Sequence, residues 1–244
     1  MRRVLILGGT SEGRALAAAL AEEPDVAVVS SLAGRVRNPR LPVGEVRVGG
    51  FGGVDGLADW LRDNDIDAVV DATHPFASRI TGNADAASRR VDVPLLVLRR
   101  PEWVAGPGDR WTTVASLQDA AAVLPADARV LLTIGRQGVD AFVDSPGWFL
   151  IRAIDPPTVA VPPHGEVLLA RGPFAVDDEV ALMRENRIDV VVTKNSGGAL
   201  TSAKLDAARR LGLPVVMVAR TAIPEGAAST ADVDEATDWA AGRA

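Results

Sequence analysis

The sequence predicts an α/β protein of two three-layer α/β/α domains with mainly parallel sheets, and three observations carry that expectation. Short apolar, β-branched runs alternate with longer Ala-, Leu-, Arg- and Glu-rich segments of helical period, the pattern of βαβ units. The chain has 244 residues, which at about 150 residues per domain allows one large or two small domains with a buried core. The texture breaks once, in RRPEWVAGPGDRW (residues 99–111), where two Pro and two Gly interrupt any regular period. That stretch reads as a linker between a domain over residues 1–100 and another over 112–244.

In the first half, strands are expected near Val4–Leu7, Val26–Ser30, Val46–Val48, Ala68–Asp71 and Pro94–Leu98. Helices fill the gaps near Glu12–Ala21, Val54–Asp63 and Ala77–Arg90; Pro24 follows the first as a stop, and Asn64 with Asp65 closes the second. A second series follows, with strands near Val130–Thr133, Phe149–Ala153, Val167–Ala170, Val190–Thr193 and Val215–Ala219. Its helices lie near Leu117–Leu124, Val176–Glu185 and Leu200–Leu211, and residues 232–243 read as a closing helix. The Pro-rich stretch DPPTVAVPPHG (155–165) suits neither a central strand nor a helix and reads as an irregular loop. Two such halves facing one another predict an inter-domain cleft, and ligands of parallel sheets bind at the carboxyl ends of the strands.

Composition removes several functions. With no Cys there is no thiol catalysis, disulfide or thiolate metal site, and no metal ligand set appears. With no Tyr there is no Tyr-Lys pair of the short-chain dehydrogenase kind. A net charge of -6 and a pI near 5.0 argue against a nucleic-acid surface or a polybasic membrane contact. The longest apolar runs are strand-length, far short of the ~20 residues of a membrane span, and Gly8 and Gly9 interrupt the first apolar run too early for a signal peptide. A cytoplasmic protein, monomeric or weakly self-associating, is the expectation.

Candidate site residues fall after strands. Gly8-Gly9-Thr10-Ser11-Glu12-Gly13 follows the first strand and opens the first helix, matching G-x-G-x-x-G with Thr10 in the middle position. Such a turn lets the backbone approach a pyrophosphate, whose charge sits on the free N–H groups of the helix. At the end of the second strand, where an NAD binder carries an acid, the chain has Ser30, Ser31 and, shortly after, Arg35, which suits the 2'-phosphate of NADP. The run Gly49-Gly50-Phe51-Gly52-Gly53 permits close approach to a flat ligand, with Phe51 against a ring face. The fourth strand ends in Asp71-Ala72-Thr73-His74-Pro75-Phe76-Ala77, which aims Thr73 and His74 at the same edge; for His74 an active-site role and a helix-capping role are equally open. In the second half, Arg136, Arg171 and Lys194 stand at strand ends, and Lys194 precedes the turn Ser196-Gly197-Gly198. Cations gathered in an acidic chain suit carboxylate or phosphate.

Together LILGGTSEGR (5–14), GGFGG, VVDATHPFA (69–77), LRRPEW (98–103), ARGPF (170–174) and VVTKNSGG (191–198) resemble the precorrin-6A reductases of cobalamin biosynthesis and their cobalt-precorrin counterparts. The motifs run in order from one end of the chain to the other. The resemblance implies two Rossmann-like domains holding NADPH and a corrin-ring precursor between them, with hydride reducing the C18=C19 bond of precorrin-6A to give precorrin-6B. It implies cofactor contacts from Gly8 to Gly13, Ser30, Ser31, Arg35, Gly50, Phe51 and Thr73, and contacts to the tetrapyrrole's acetates and propionates from His74, Pro75, Arg136, Arg171, Lys194, Ser196 and Gly197. The proton has several candidate sources: His74 as acid, Lys194 as an electrostatic aid, solvent, or the substrate's own carboxylates. Cobalt-free and cobalt-containing substrates carry the same peripheral groups and are both compatible. An NADP-dependent reductase of a smaller substrate and a non-catalytic NADP(H) sensor are the alternatives; both leave the second-half cations with less to do.

Overall fold

The computed structural model describes residues 1–34 and 40–243, and the chain divides into two compact units: Met1–Pro101 with Thr221–Ala244, and Glu102–Arg220. The first contains β1 (Arg2–Leu7), α1 (Ser11–Ala21), β2 (Val26–Leu32), β3 (Glu45–Val48), α2 (Val54–Asp63), β4 (Ala68–Asp71), α3 (Ser78–Val91) and β5 (Leu95–Leu98). The second contains β6 (Arg110–Val114), α4 (Leu117–Ala122), β7 (Arg129–Thr133), β8 (Trp148–Ala153), β9 (Gly165–Leu169), α5 (Val176–Glu185), β10 (Val190–Lys194), α6 (Ala203–Leu211) and β11 (Pro214–Val218). The chain then returns to the first unit with β12 (Ala228–Thr230) and α7 (Val233–Ala241).

This return changes the expected division. Residues 221–244 do not belong with the second domain: β12 pairs in parallel with β5, and α7 packs on the first sheet, where Ala236 and Ala240 share a core with Leu16 and Leu20 of α1. Arg2 Nε donates to Ala240 O at 2.7 Å, and Arg243 pairs with Glu23. The expected linker is not one segment either, since Arg99 to Pro101 lie in the first unit and Arg110 and Trp111 open an unforeseen strand of the second.

The first sheet runs β3-β2-β1-β4-β5-β12 with every pairing parallel. Counting β12 as sixth, this is the 3-2-1-4-5-6 order of dinucleotide-binding folds, whose crevice opens where the order reverses, between β1 and β4. Alternation along β1 explains the layers: Val4 and Ile6 face α1 and α7, while Leu5 and Leu7 face Leu57 and Leu61 of α2 and Ala84 and Ala87 of α3. Both sheet faces are therefore covered, as a parallel sheet requires.

The second sheet runs β9-β8-β7-β10-β11-β6, again all parallel. Its order repeats the first, but the sixth edge strand comes from the segment before the repeat. Leu131, Leu150 and Val191 pack on α5 and α6 through Met183 and Leu205. The connection from β7 to β8 holds only a four-residue 3-10 turn, Val139–Phe142, anchored by Phe142 against Phe149. The expected helix over Leu200–Leu211 is a 3-10 turn (Ala199–Thr201) followed by α6. Pro75 lies ahead of α3, in a turn closed by Ala77 N–H donating to His74 O at 2.7 Å.

Candidate active site

At the reversal point of the first sheet the chain leaves β1 through Gly8 and Gly9 and enters α1 at Ser11. Gly9 holds φ at +123°, where side chains are disfavoured, and a Cβ there would meet nothing within 4 Å, so its backbone faces open space. Gly13 serves the opposite end: its Cβ would lie 3.2 Å from the Ala72 Cβ, so glycine lets α1 sit close to the end of β4. Thr10, in the middle position, caps the helix. Its hydroxyl accepts from Gly13 N–H at 3.1 Å and donates to Ala72 O at 2.7 Å. It thus ties the glycine turn across the crevice to the DATHPF segment, a role that a middle glycine lacks.

Glu12, in the first turn of α1, would repel an anion at this helix end. Its carboxylate is paired with Arg100 Nη1 at 3.0 Å and accepts from Ser11 Oγ at 3.0 Å. Burial opposes its ionisation, but its own backbone N–H, Arg100 and Ser11 outweigh burial and hold the carboxyl below the usual range. A shallow depression lies here, lined by Thr10, Glu12, Thr73, Pro75, Leu98, Arg99 and Arg100. Buried Asp71 shapes its wall by accepting from Thr73 N–H at 3.0 Å and Thr73 Oγ1 at 2.6 Å. His74 is exposed, and its Nδ1 accepts from Phe76 N–H at 3.3 Å. In the neutral ring that leaves the proton on Nε2.

The neighbouring strand ends hold the other expected cofactor residues. Ser30 is enclosed in the sheet at 1% exposure, and its hydroxyl has no partner, so its side chain does not line a surface. Arg35 lies outside the described residues. Ser31 is instead engaged by Arg47 of β3, whose Nη1 donates to Ser31 Oγ at 3.0 Å and to Gly49 O at 3.1 Å, while Nη2 donates to Gly50 O at 3.1 Å. The same guanidinium lies 3.8 Å from the centroid of Phe51, and Phe51 packs edge-on against Trp60.

In the second unit Arg136 and Arg171 follow β7 and β9 and Lys194 is the last residue of β10, so all three share the carboxyl edge of that sheet. Thr133 Oγ1 donates to Val192 O at 3.1 Å across its reversal point. The connection after β7 holds only a 3-10 turn, so the second unit lacks the glycine turn and long helix that follow β1 in the first. Burial pushes the Lys194 ammonium below its ordinary pKa. The Ser196 and Gly197 turn is held by Asn195, whose Oδ1 accepts from Trp103 N–H at 2.9 Å and whose Nδ2 donates to Trp103 O at 3.1 Å. Trp103 Nε1 donates to Gly198 O at 2.8 Å. Arg171 is exposed, and its turn rests on Phe174, which stacks on Arg152 at 4.1 Å; Arg152 in turn pairs with buried Glu179.

Sequence reasoning did not single out Arg47, Arg100, Asn195 or Arg152. The first three stand beside motifs or within them, which was the available signal; Arg152 lies inside a strand and offered none. Among the described residues there is no group of three or more acidic or His side chains able to hold a metal. No helix among them is long and apolar enough to cross a membrane.

A family model described as precorrin-6x reductase CbiJ/CobK matches residues 3–241. The chain is 64% identical over 241 residues to a precorrin-6A reductase of Rhodococcus erythropolis, covering 98% of this chain and 97% of that one. It is 29% identical over 243 residues to a cobalt-precorrin-6A reductase of Priestia megaterium, covering 91% and 92%. A solved structure of CobK precorrin-6A reductase superposes with a TM-score of 0.92 at 43% identity, covering 100% of this chain and 97% of that one. Fold, motif order and likeness over the whole chain agree: this chain belongs to the precorrin-6A reductase family of cobalamin biosynthesis.

Proposed function

We propose that this enzyme uses NADPH to reduce the C18=C19 bond of precorrin-6A, giving precorrin-6B. The observation that carries the cofactor reading is the turn at Gly9: an open, left-handed backbone at a helix N-terminus, at the reversal point of a 3-2-1-4-5-6 sheet. Precorrin-6A as substrate rests on the relatives, since those named for the cobalt-free compound are the more similar. NADPH supplies the hydride when bound; the chain binds, orients and handles the proton.

The N–H groups of Gly9, Thr10 and Ser11 receive the diphosphate, since Gly8 N–H is taken by Ser31 O and Gly13 N–H by Thr10 Oγ1, and Glu12 is neutralised by Arg100 so that it does not oppose the anion. Arg136, Arg171 and Lys194 pair with peripheral carboxylates, because an unpaired carboxylate taken from water is costly. The proton that completes the reduction comes from His74, whose Nδ1 accepts from the backbone and whose Nε2 therefore carries the proton. Holding two large ligands in register supplies most of the rate.

The test is NADPH oxidation by purified protein under anaerobic conditions, with precorrin-6A, with its cobalt form, and with NADH in place of NADPH. Turnover with NADPH and precorrin-6A is expected. Tight NADPH binding without oxidation by either macrocycle would refute the reductase reading in favour of a sensor. His74→Ala should lower kcat strongly; near-normal kcat at saturating substrate would remove His74 as the acid.

A further inference from the structure

The dinucleotide reading leaves open what reads the far end of the cofactor, where NADPH and NADH differ by one phosphate. We propose that Arg47, on edge strand β3, is the residue that recognises the 2'-phosphate and so selects NADPH over NADH. This deepens the cofactor reading and rests on it.

Placement comes first. In sheets of this order the ribose hydroxyl is read at the end of β2, and Ser31, in that position, is paired in register with Arg47. No acid stands among the described residues from Ser30 to Gly34 to repel a phosphate. Ser30 is enclosed and cannot serve, whereas Arg47 is partly exposed.

The guanidinium is also held in one pose. Phe51 supports its face at 3.8 Å, Trp60 backs the ring, and three of its five N–H donors go to Ser31 Oγ, Gly49 O and Gly50 O. The remaining two, on Nε and Nη2, have no partner among the described residues. A guanidinium stacked on a ring offers its donors at the edge, in the plane where a phosphate binds in a fork. Ser31, which accepts from Arg47, keeps its hydroxyl proton to donate.

The loop that carries this support is itself fixed. Gly49 N–H donates to Leu32 O at 2.8 Å, and the Phe51 carbonyl lies so close to α2 that a Cβ on Gly56 would collide with its oxygen. Arg47 is therefore pre-organised, and partial burial has already removed some of the water that a phosphate would otherwise displace.

The experiment is calorimetric titration of the full-length protein with 2',5'-ADP and with 5'-ADP, comparing wild type, Arg47→Gln and Arg47→Lys. Wild type should favour 2',5'-ADP. Arg47→Gln should lose roughly ten- to a hundredfold in affinity for 2',5'-ADP, the range for charge-assisted hydrogen bonds, while 5'-ADP affinity stays within about twofold. Arg47→Lys, which keeps the charge without the fork, should fall between. An unchanged preference in Arg47→Gln would overturn the proposal, and so would an equal loss for both ligands, which would make Arg47 a loop support only. Wild-type protein that binds neither nucleotide would overturn the dinucleotide reading itself, and this inference with it.

Discussion

Replacing Thr10 by Gly makes the turn match G-x-G-x-x-G more closely, yet the structure predicts that it weakens the protein. The hydroxyl caps α1 through Gly13 N–H and donates to the carbonyl of Ala72, a residue with 0% exposure. Glycine is itself an acceptable cap, so that loss is about a few tenths of a kcal/mol. The orphaned Ala72 carbonyl costs about 1–3 kcal/mol, and the freer unfolded backbone about 0.5–1 kcal/mol more. Together they give about 2–4 kcal/mol, which for a chain of this size lowers Tm by roughly 5–10 °C. The assay is thermal melting by far-UV circular dichroism with and without NADPH, alongside Thr10→Ser, which keeps both bonds and should melt near wild type. NADPH affinity should fall with Thr10→Gly because the turn is no longer tied to Ala72. A Thr10→Gly protein melting within about a degree of wild type, a shift well under 1 kcal/mol, would show that the tie from Thr10 to Ala72 does not stabilise the fold.

Three further outcomes follow from the same geometry. Burial lowers the Lys194 pKa from the ordinary 10.5, so folding carries a cost below the lowered value that is relieved as pH rises through it; the KM for the macrocycle should rise over that same alkaline window, and Lys194→Arg should move this limb to higher pH. Arg152 and Glu179 are 7% and 2% exposed, so Arg152→Met alone should cost about 3–5 kcal/mol in chemical denaturation, while adding Glu179→Leu should recover most of it. Gly56→Ala should displace the Phe51 carbonyl, with which a Cβ would collide, destabilising the first unit by about 1–3 kcal/mol and weakening NADPH more than NADH; equal stability to wild type would contradict the close approach.

Much of the architecture was legible because parallel sheets covered on both faces leave continuous apolar runs. Ala68–Asp71, Val54–Asp63 and Val176–Glu185 fall where periodicity placed them. The two missed strands are both at sheet edges. β6 is largely exposed and begins inside a Pro- and Gly-rich stretch, and β12 has three residues, so neither carries the buried pattern that identifies a strand. Periodicity also found the C-terminal helix but cannot say which sheet it covers; that choice is made by Ala236 and Ala240 against α1.

The candidate site was legible where function requires glycine or a strand-end polar group, as at Gly9, Gly13 and Lys194. It was less so where one side chain organises others. Arg47 reads in sequence as an exposed charge on a short strand, and only the fold brings it onto Phe51 and Ser31. Asn195 lies within a motif, but its bonds to Trp103 cross more than ninety residues of sequence, beyond what spacing reveals.

On the proposed function, hydride passes from NADPH to the macrocycle on this protein. Reduction of precorrin-6A with NADPH deuterated stereospecifically at the nicotinamide C4, followed by mass spectrometry of the product, tests it most directly. One of the two labelled cofactors should yield a precorrin-6B heavier by a single deuterium, and the other an unlabelled product. Oxidation of both cofactors with no deuterium in the macrocycle would contradict direct hydride transfer.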